Sequence, residues 1–245
     1  MSDIIKALET LKENKWIDLT HNVNSSIPKF GAFPNLNIET LYTIKKDGFF
    51  VDRVSFVTQY GTHIDAPIHF SENKRTLEQL ELKELVLPLF VINKEKEVEN
   101  NPDFILTAED ILNWEKENGK IEKDSFVAFA SGWSKRWGKS DFYNKDSNGI
   151  AHTPGWSIEA LDLILNKRGA LAIGHETLDT DASIDIIKNN FLLSEKFVLD
   201  TNKYQVEVLN NLNLLPAKGG VIFIGVPKFD KLPGFPVRAF AIIPN

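Results

Sequence analysis

The chain has 245 residues, 42% hydrophobic and 25% charged, with a net charge of −6 and no cysteine. That length and balance suit one soluble globular domain over residues 1–245, with enough chain to bury a sizeable core. The negative balance and scattered lysines argue against nucleic acid and anionic membrane as partners, and the lack of cysteine excludes disulfides and thiolate metal sites. The start, Met1-Ser2-Asp3-Ile4-Ile5-Lys6, carries no signal-peptide pattern, and no apolar run approaches transmembrane length. A cytoplasmic location is expected.

In chain order, Ile4, Ile5, Leu8 and Leu11 predict a short amphipathic helix, and Trp16 to Leu19 a strand. Ile38, Thr40, Tyr42 and Ile44 alternate, as do Val51, Arg53, Ser55 and Val57, which predicts a hairpin about Lys46-Asp47-Gly48. The nearly continuous apolar run Leu85 to Ile92 reads as a buried strand. Thr107-Ala108-Glu109-Asp110 opens a helix as a capping box, with Asn118-Gly119 at its end. Ser125 to Ala130 is a further strand. Ser157 caps a helix carrying Ile158, Leu161 and Leu165, stopped by Gly169. Strands follow at Ala170 to Ile173, Val221 to Gly225 and Val237 to Ile243. No linker or internal repeat divides the chain, so the pattern predicts an α+β fold, a mixed sheet with helices packed against it.

One stretch concentrates chemistry. Gly61-Thr62-His63-Ile64-Asp65-Ala66-Pro67-Ile68-His69 holds two of the five histidines and an aspartate within seven residues. Two imidazoles and a carboxylate at spacings of two and four suit a metal-centred hydrolytic site, since neutral imidazole and carboxylate together hold a hard or borderline cation. A solvent-facing turn is the plain alternative.

This run resembles the signature of the cyclase family of kynurenine formamidase and isatin hydrolase type, His-x-Gly-Thr-His-x-Asp-x-Pro-x-His. Other landmarks follow in the family's order: Asp18-Leu19-Thr20-His21, Pro28-Lys29-Phe30-Gly31, Ser131-Gly132-Trp133, Pro154-Gly155-Trp156-Ser157 and Gly234-Phe235-Pro236-Val237-Arg238. The resemblance implies a swivelling β/β/α fold, a homo-oligomer (dimer or tetramer), and one or two divalent ions, Mn²⁺ or Zn²⁺, per chain. It further implies His63 and Asp65 as metal ligands, Glu207 as a later shared ligand, and His69 as the proton donor and acceptor. Two positions depart from the pattern. Gln59 stands where the first ligand histidine belongs, and Glu195, twelve residues before Glu207, stands where a later histidine belongs. A neutral amide weakens one ion site, while an added carboxylate favours harder ions such as Mn²⁺ over Zn²⁺.

Phe30, Trp133 and Trp156 lie in loop motifs where an aromatic substrate can stack, although each is apolar enough for the core. His175, Glu176 and Asp181 follow a strand in Gly174-His175-Glu176-Thr177-Leu178-Asp179-Thr180-Asp181, where they either reach substrate, orient a ligand, or shape a turn and cap. His21 and His152 read as structural or loop histidines. No Gly-x-Ser-x-Gly elbow, dinucleotide fingerprint or phosphate loop is present. The expected activity is metal-dependent hydrolysis of a small amide, lactam or related acyl compound, an arylformamidase-like reaction on a non-peptide C–N bond. The alternatives are a catalytically silent small-molecule binder on the same fold and a metal-assisted lyase or cyclisation step.

Overall fold

Alternating apolar residues on both faces of the central strands decide the architecture. The computed structural model describes residues 2–245. Its strands are β1 (Lys15–Asp18), β2 (Asn37–Tyr42), β3 (Val51–Ser55), β4 (His63–Asp65), β5 (Val86–Asn93), β6 (Ile105–Leu106), β7 (Phe126–Ala130), β8 (Gly155–Trp156), β9 (Ala172–His175), β10 (Tyr204–Glu207), β11 (Gly220–Gly225), β12 (Gly234–Pro236) and β13 (Arg238–Ile243). Helices are α1 (Asp3–Glu13), α2 (Ile44–Asp47), α3 (Glu95–Asn100), α4 (Ala108–Asn118), α5 (Ile158–Asp162), α6 (Ser183–Asn189) and α7 (Leu193–Asp200). Among the described residues no helix is long and apolar enough to cross a membrane.

A nine-stranded mixed sheet runs in the order β1-β13-β11-β5-β7-β9-β10-β4-β12. β5, β7, β9 and β10 are mutually parallel, and the strands outside them pair antiparallel. Strands buried on both faces read as continuous apolar runs rather than as alternation. Leu87, Leu89 and Val91 of β5 join Phe126 and Ala128 of β7 in the core enclosed by the curled sheet. Phe90, Ile92, Val127 and Phe129 point to the opposite face, where they meet Ile111, Leu161 and Leu199 of the flanking helices. This is the mixed β fold with packed helices, of cyclase β/β/α type, that the sequence predicts.

Local signals hold well. Thr107 caps α4 by accepting from Asp110 N at 3.2 Å, and the Asp110 carboxylate answers by accepting from Thr107 N at 3.0 Å. Ser157 caps α5, and Gly169 ends the following π-helical turns at φ +77°, a left-handed conformation suited to glycine. The hairpin forms as β2 and β3, closed by the single turn α2. The strand expected at Ala170 to Ile173 lies two residues later, at β9.

Between β9 and α6 the loop 176–182 packs backbone against backbone on β8. A Cβ at Gly155 would sit 2.0 Å from Ala182 N and 2.3 Å from Asp181 C. Gly155→Ala should therefore cost roughly 1–3 kcal/mol through overpacking. Urea unfolding measures this, and an unchanged midpoint would show that the loop yields without strain.

Candidate active site

Period-two alternation and register build the site. Successive strand side chains face opposite ways, so Ile64 and Val206 enter the core while His63, Asp65, Gln205 and Glu207 share the other face. The antiparallel register of β4 and β10 sets His63 opposite Glu207 and Asp65 opposite Gln205. On the far side of β10, His175 closes β9. All five residues are at most 3% exposed.

His63 Nδ1 lies 2.8 Å from the Gly61 carbonyl, which only accepts, so Nδ1 carries a proton and Nε2 is the nitrogen whose lone pair, once deprotonated, can meet a metal. Among the described residues, that Nε2 has no hydrogen-bond partner. It stands 3.4 Å from Glu207 Oε2 and 3.6 Å from Asp65 Oδ1. Two donors bound at about 2.1 Å to a tetrahedral ion lie about 3.4 Å apart. The three donor atoms thus fit a divalent cation, and they form one of two candidate metal groups. The second group, Asp65, His69 and Glu195, shares Asp65. His69 Nε2 is 3.8 Å from Glu195 Oε1 and 4.0 Å from Asp65 Oδ1.

Glu195 reaches this place on the first turn of α7. Asp181 fixes that turn by accepting from Ser194 N at 2.8 Å and Glu195 N at 2.9 Å. Asp181 therefore serves as a cap and does not line the cavity. Gln59 lines it, donating from Nε2 to Asp65 Oδ1 at 3.2 Å. Gly234 of β12 makes room for that contact, because a Cβ there would lie 2.7 Å from Gln59 Nε2.

The cavity holds about 630 Å³. Its floor is Gln59, His63, His69, Asp179, Glu195 and Glu207, and its walls include Phe30, Phe33, Phe70, Trp133, Phe142 and Leu178. Phe30 is 60% exposed at the surface, whereas Trp133 is buried with its Nε1 donating to the Phe142 carbonyl.

Three residues expected against substrate stand behind the wall instead. Trp156 is core, edge-on to Phe129 at 5.6 Å. The Glu176 carboxylate is filled by Ser131 N, Ser131 Oγ, Trp133 N and Ser134 Oγ at 2.6–3.2 Å, so it anchors the turn bearing Trp133. His175 Nε2 lies 3.3 Å from Glu207 Oε1 and supports that carboxylate from behind. His152 pairs with Asp103 at 2.7 Å, and His21 stacks on Trp137 at 4.1 Å, where burial pushes its pKa down to about 4.

Asp179 and Gln205 were not singled out from the sequence. Asp179 reads there as a turn former. Gln205 carries no motif, although its i, i+2 spacing to Glu207 repeats that of His63 and Asp65.

The family model described as "Putative cyclase" matches residues 17–182. This chain belongs to the cyclase family. Isatin hydrolase of Roseibium aggregatum is 31% identical over 219 residues, spanning 86% of this chain and 82% of that protein. Kynurenine formamidase of Bacillus anthracis is 29% identical over 84 residues, 34% of this chain and 40% of that one. Among solved structures, isatin hydrolase A from Labrenzia aggregata bound to benzyl benzoate superposes with a TM-score of 0.91 at 28% identity, covering 100% of both chains. An isatin hydrolase bound to the product analogue thioisatinate gives 0.91 at 27% identity, again covering 100% of both.

The electrostatics of this cyclase-family site demand positive charge. Burial raises Glu195 well above the usual carboxylate range, and Glu207, Asp65 and Asp179 push it the same way. Asp179 is raised to about 7 by burial, with Glu207 and Asp181 adding to it. Burial alone would also raise Glu207, but the adjacent His175 and His63 imidazoles outweigh it and leave its pKa lowered. Burial opposes charge on His63, yet the Asp65 and Glu207 carboxylates prevail and raise it to about 9. Without a cation, the proton on His63 offsets the buried carboxylate charge, and burial biases Glu195 toward its protonated form. Buried like charges persist only when paired in this way.

A divalent ion must displace those protons, so affinity should rise with pH. Below about 9 His63 carries a proton in the metal-free state that it loses on binding. Apparent affinity should gain about tenfold per pH unit for each proton released, levelling above that value. Calorimetric Mn²⁺ titration between pH 6 and 8, in buffers of different protonation heat, reads this directly. Affinity independent of pH would contradict it.

Proposed function

We propose that this cyclase-family chain is a metal-dependent hydrolase of a small aryl amide or lactam, with isatin-like rings as the leading substrate class. One observation carries this reading. An apolar cavity walled by aromatic side chains ends on a buried floor of imidazoles and carboxylates. Ligand pockets of this kind take an apolar body and orient it by a few convergent polar groups. The similarity to isatin hydrolases over nearly the whole chain supports a fused-ring substrate. The shorter match to kynurenine formamidase supports arylformamides as a second substrate class.

In this reading His63, Asp65 and Glu207 hold the ion, with Gln59 and Glu195 as further oxygen donors. The oxygen-rich set favours Mn²⁺ over Zn²⁺. A bound divalent ion supplies Lewis acidity toward a carbonyl oxygen and toward water. Phe30, Phe33, Trp133 and Phe142 hold the flat ring and exclude bulk water. His69 is the acid/base: its side chain is 24% exposed at the cavity wall, able to give a proton to the leaving nitrogen. His69 also belongs to the second candidate group, and that placement supports a different role, as a ligand to a second ion.

Mn²⁺-loaded protein should open isatin, followed by loss of the isatin absorbance, and slow opening of both isatin and an arylformamide would speak for a silent binder. Formation of a cyclised or eliminated product would favour the lyase reading. His69→Ala should lower turnover about 10²–10⁴-fold with metal content intact. His63→Ala should lose both. Loss of the ion from His69→Ala would reassign His69 as a ligand.

A homo-oligomer is part of the same proposal. Among the described residues hairpin β2–β3 pairs with no other strand, and it leaves Ile38, Tyr42, Phe49, Phe50 and Val54 at 45–59% exposure. A two-stranded sheet is marginal in water by itself, and contiguous apolar patches mark contact surfaces. Light scattering on a sizing column should give a dimer or tetramer, and Phe50→Asp should shift it toward monomer. A monomeric wild-type chain would end this reading.

A further inference from the structure

Gln205 is fully buried on β10 and lies between the two carboxylates that share the metal-site face. Its amide nitrogen donates to Asp65 Oδ2 at 3.2 Å and to Glu207 Oε1 at 3.0 Å. The Thr180 hydroxyl donates to its Oε1 at 2.7 Å. The amide orientation is fixed by chemistry. Its two N–H groups meet two acceptors, and its carbonyl meets a donor. The reverse orientation would set a carbonyl oxygen against both carboxylates. Thr180 is held in turn, since its carbonyl accepts from Trp156 N at 2.9 Å.

We propose that Gln205 is a positioning residue that selects which oxygen of Asp65 and which oxygen of Glu207 faces the ion. This rests on the metal-centre reading above. With Oδ2 and Oε1 engaged from behind, Glu207 Oε2 and Asp65 Oδ1, the latter also accepting from Gln59 Nε2 at 3.2 Å beside the cavity, are the two oxygens nearest His63 Nε2. His175 Nε2, 3.3 Å from Glu207 Oε1, reinforces the same choice on one side. Each carboxylate is thereby presented through one oxygen rather than two. Charge matters equally. A lysine or arginine could satisfy the same oxygens but would cancel the negative charge that attracts the cation. A neutral amide orients both anions and leaves their charge in place. Groups that hold metal ligands from behind typically contribute about 10–100-fold to metal affinity.

The test compares Mn²⁺ binding by calorimetry and the electron paramagnetic resonance spectrum of the bound ion in wild type, Gln205→Met and Thr180→Val. Methionine keeps the length and volume while removing both donors. Valine keeps the shape of threonine but frees the amide to turn. Gln205→Met should weaken Mn²⁺ binding by about 10–100-fold, with a changed spectrum at saturation showing altered carboxylate ligation. Thr180→Val should move both readouts the same way by a smaller factor, and it carries the test if Gln205→Met does not fold. Wild-type affinity and spectrum in a folded Gln205→Met, or in Thr180→Val where that variant carries the test, overturn the assignment while leaving the metal centre standing. A wild-type chain that takes up no Mn²⁺ overturns the metal reading, and this one with it.

Discussion

The register between β4 and β10 is the constraint on which the rest of the structure depends. It brings His63 opposite Glu207 and Asp65 opposite Gln205, and it does so inside the protein, where carboxylates resist ionisation unless something positive stands beside them. A one-residue slip of β4 would turn His63 and Asp65 into the core and send Ile64 into the cavity. The burial of Ile64, Val206 and Tyr204 at 0% exposure therefore enforces the site geometry as much as the hydrogen bonds do. Packing on one face specifies chemistry on the other.

The surrounding elements read as supports for that arrangement. β9 brings His175 against Glu207, and Asp181 ties α7 so that Glu195 points at His69. Gly234 keeps β12 close enough for Gln59 to reach Asp65. Glu176, with four donors around it, locks the turn that presents Trp133 to the cavity. Buried polar groups satisfied to this extent rigidify a site, and each partner limits the positions open to the next.

Much of the fold was legible in the sequence because its signals are local. The doubly apolar β5 and β7, the Thr107 and Ser157 caps, Gly169 and the alternating hairpin each carry their own pattern within a few residues. β4 and β10 did not, since strands of three and four residues with polar side chains on one face look like solvent-exposed loops. The motif Gly61 to His69 stood out through its histidines and aspartate. Gln205 lay hidden because a lone glutamine between Tyr204 and Val206 has no signature until the facing strand is known. The readings of Trp156 and Glu176 stayed open for a related reason. A loop motif gives proximity to a site, but only the packing shows whether a side chain faces the cavity or braces the wall behind it.

The floor of the cavity and its walls come from different kinds of chain. Half of the floor, His63, Glu195 and Glu207, is carried by β4, α7 and β10, whereas Phe30, Phe33, Phe142, Tyr143, Lys145 and Ala151 come from irregular segments far apart in sequence. Substitutions in those segments leave every strand register untouched. Substrate choice in this architecture can therefore drift, or be engineered, at little cost to the ion-binding floor. A change at β4 or β10, in contrast, alters charge balance, geometry and core packing at once. One scaffold can present many cavity shapes by rewriting its rim.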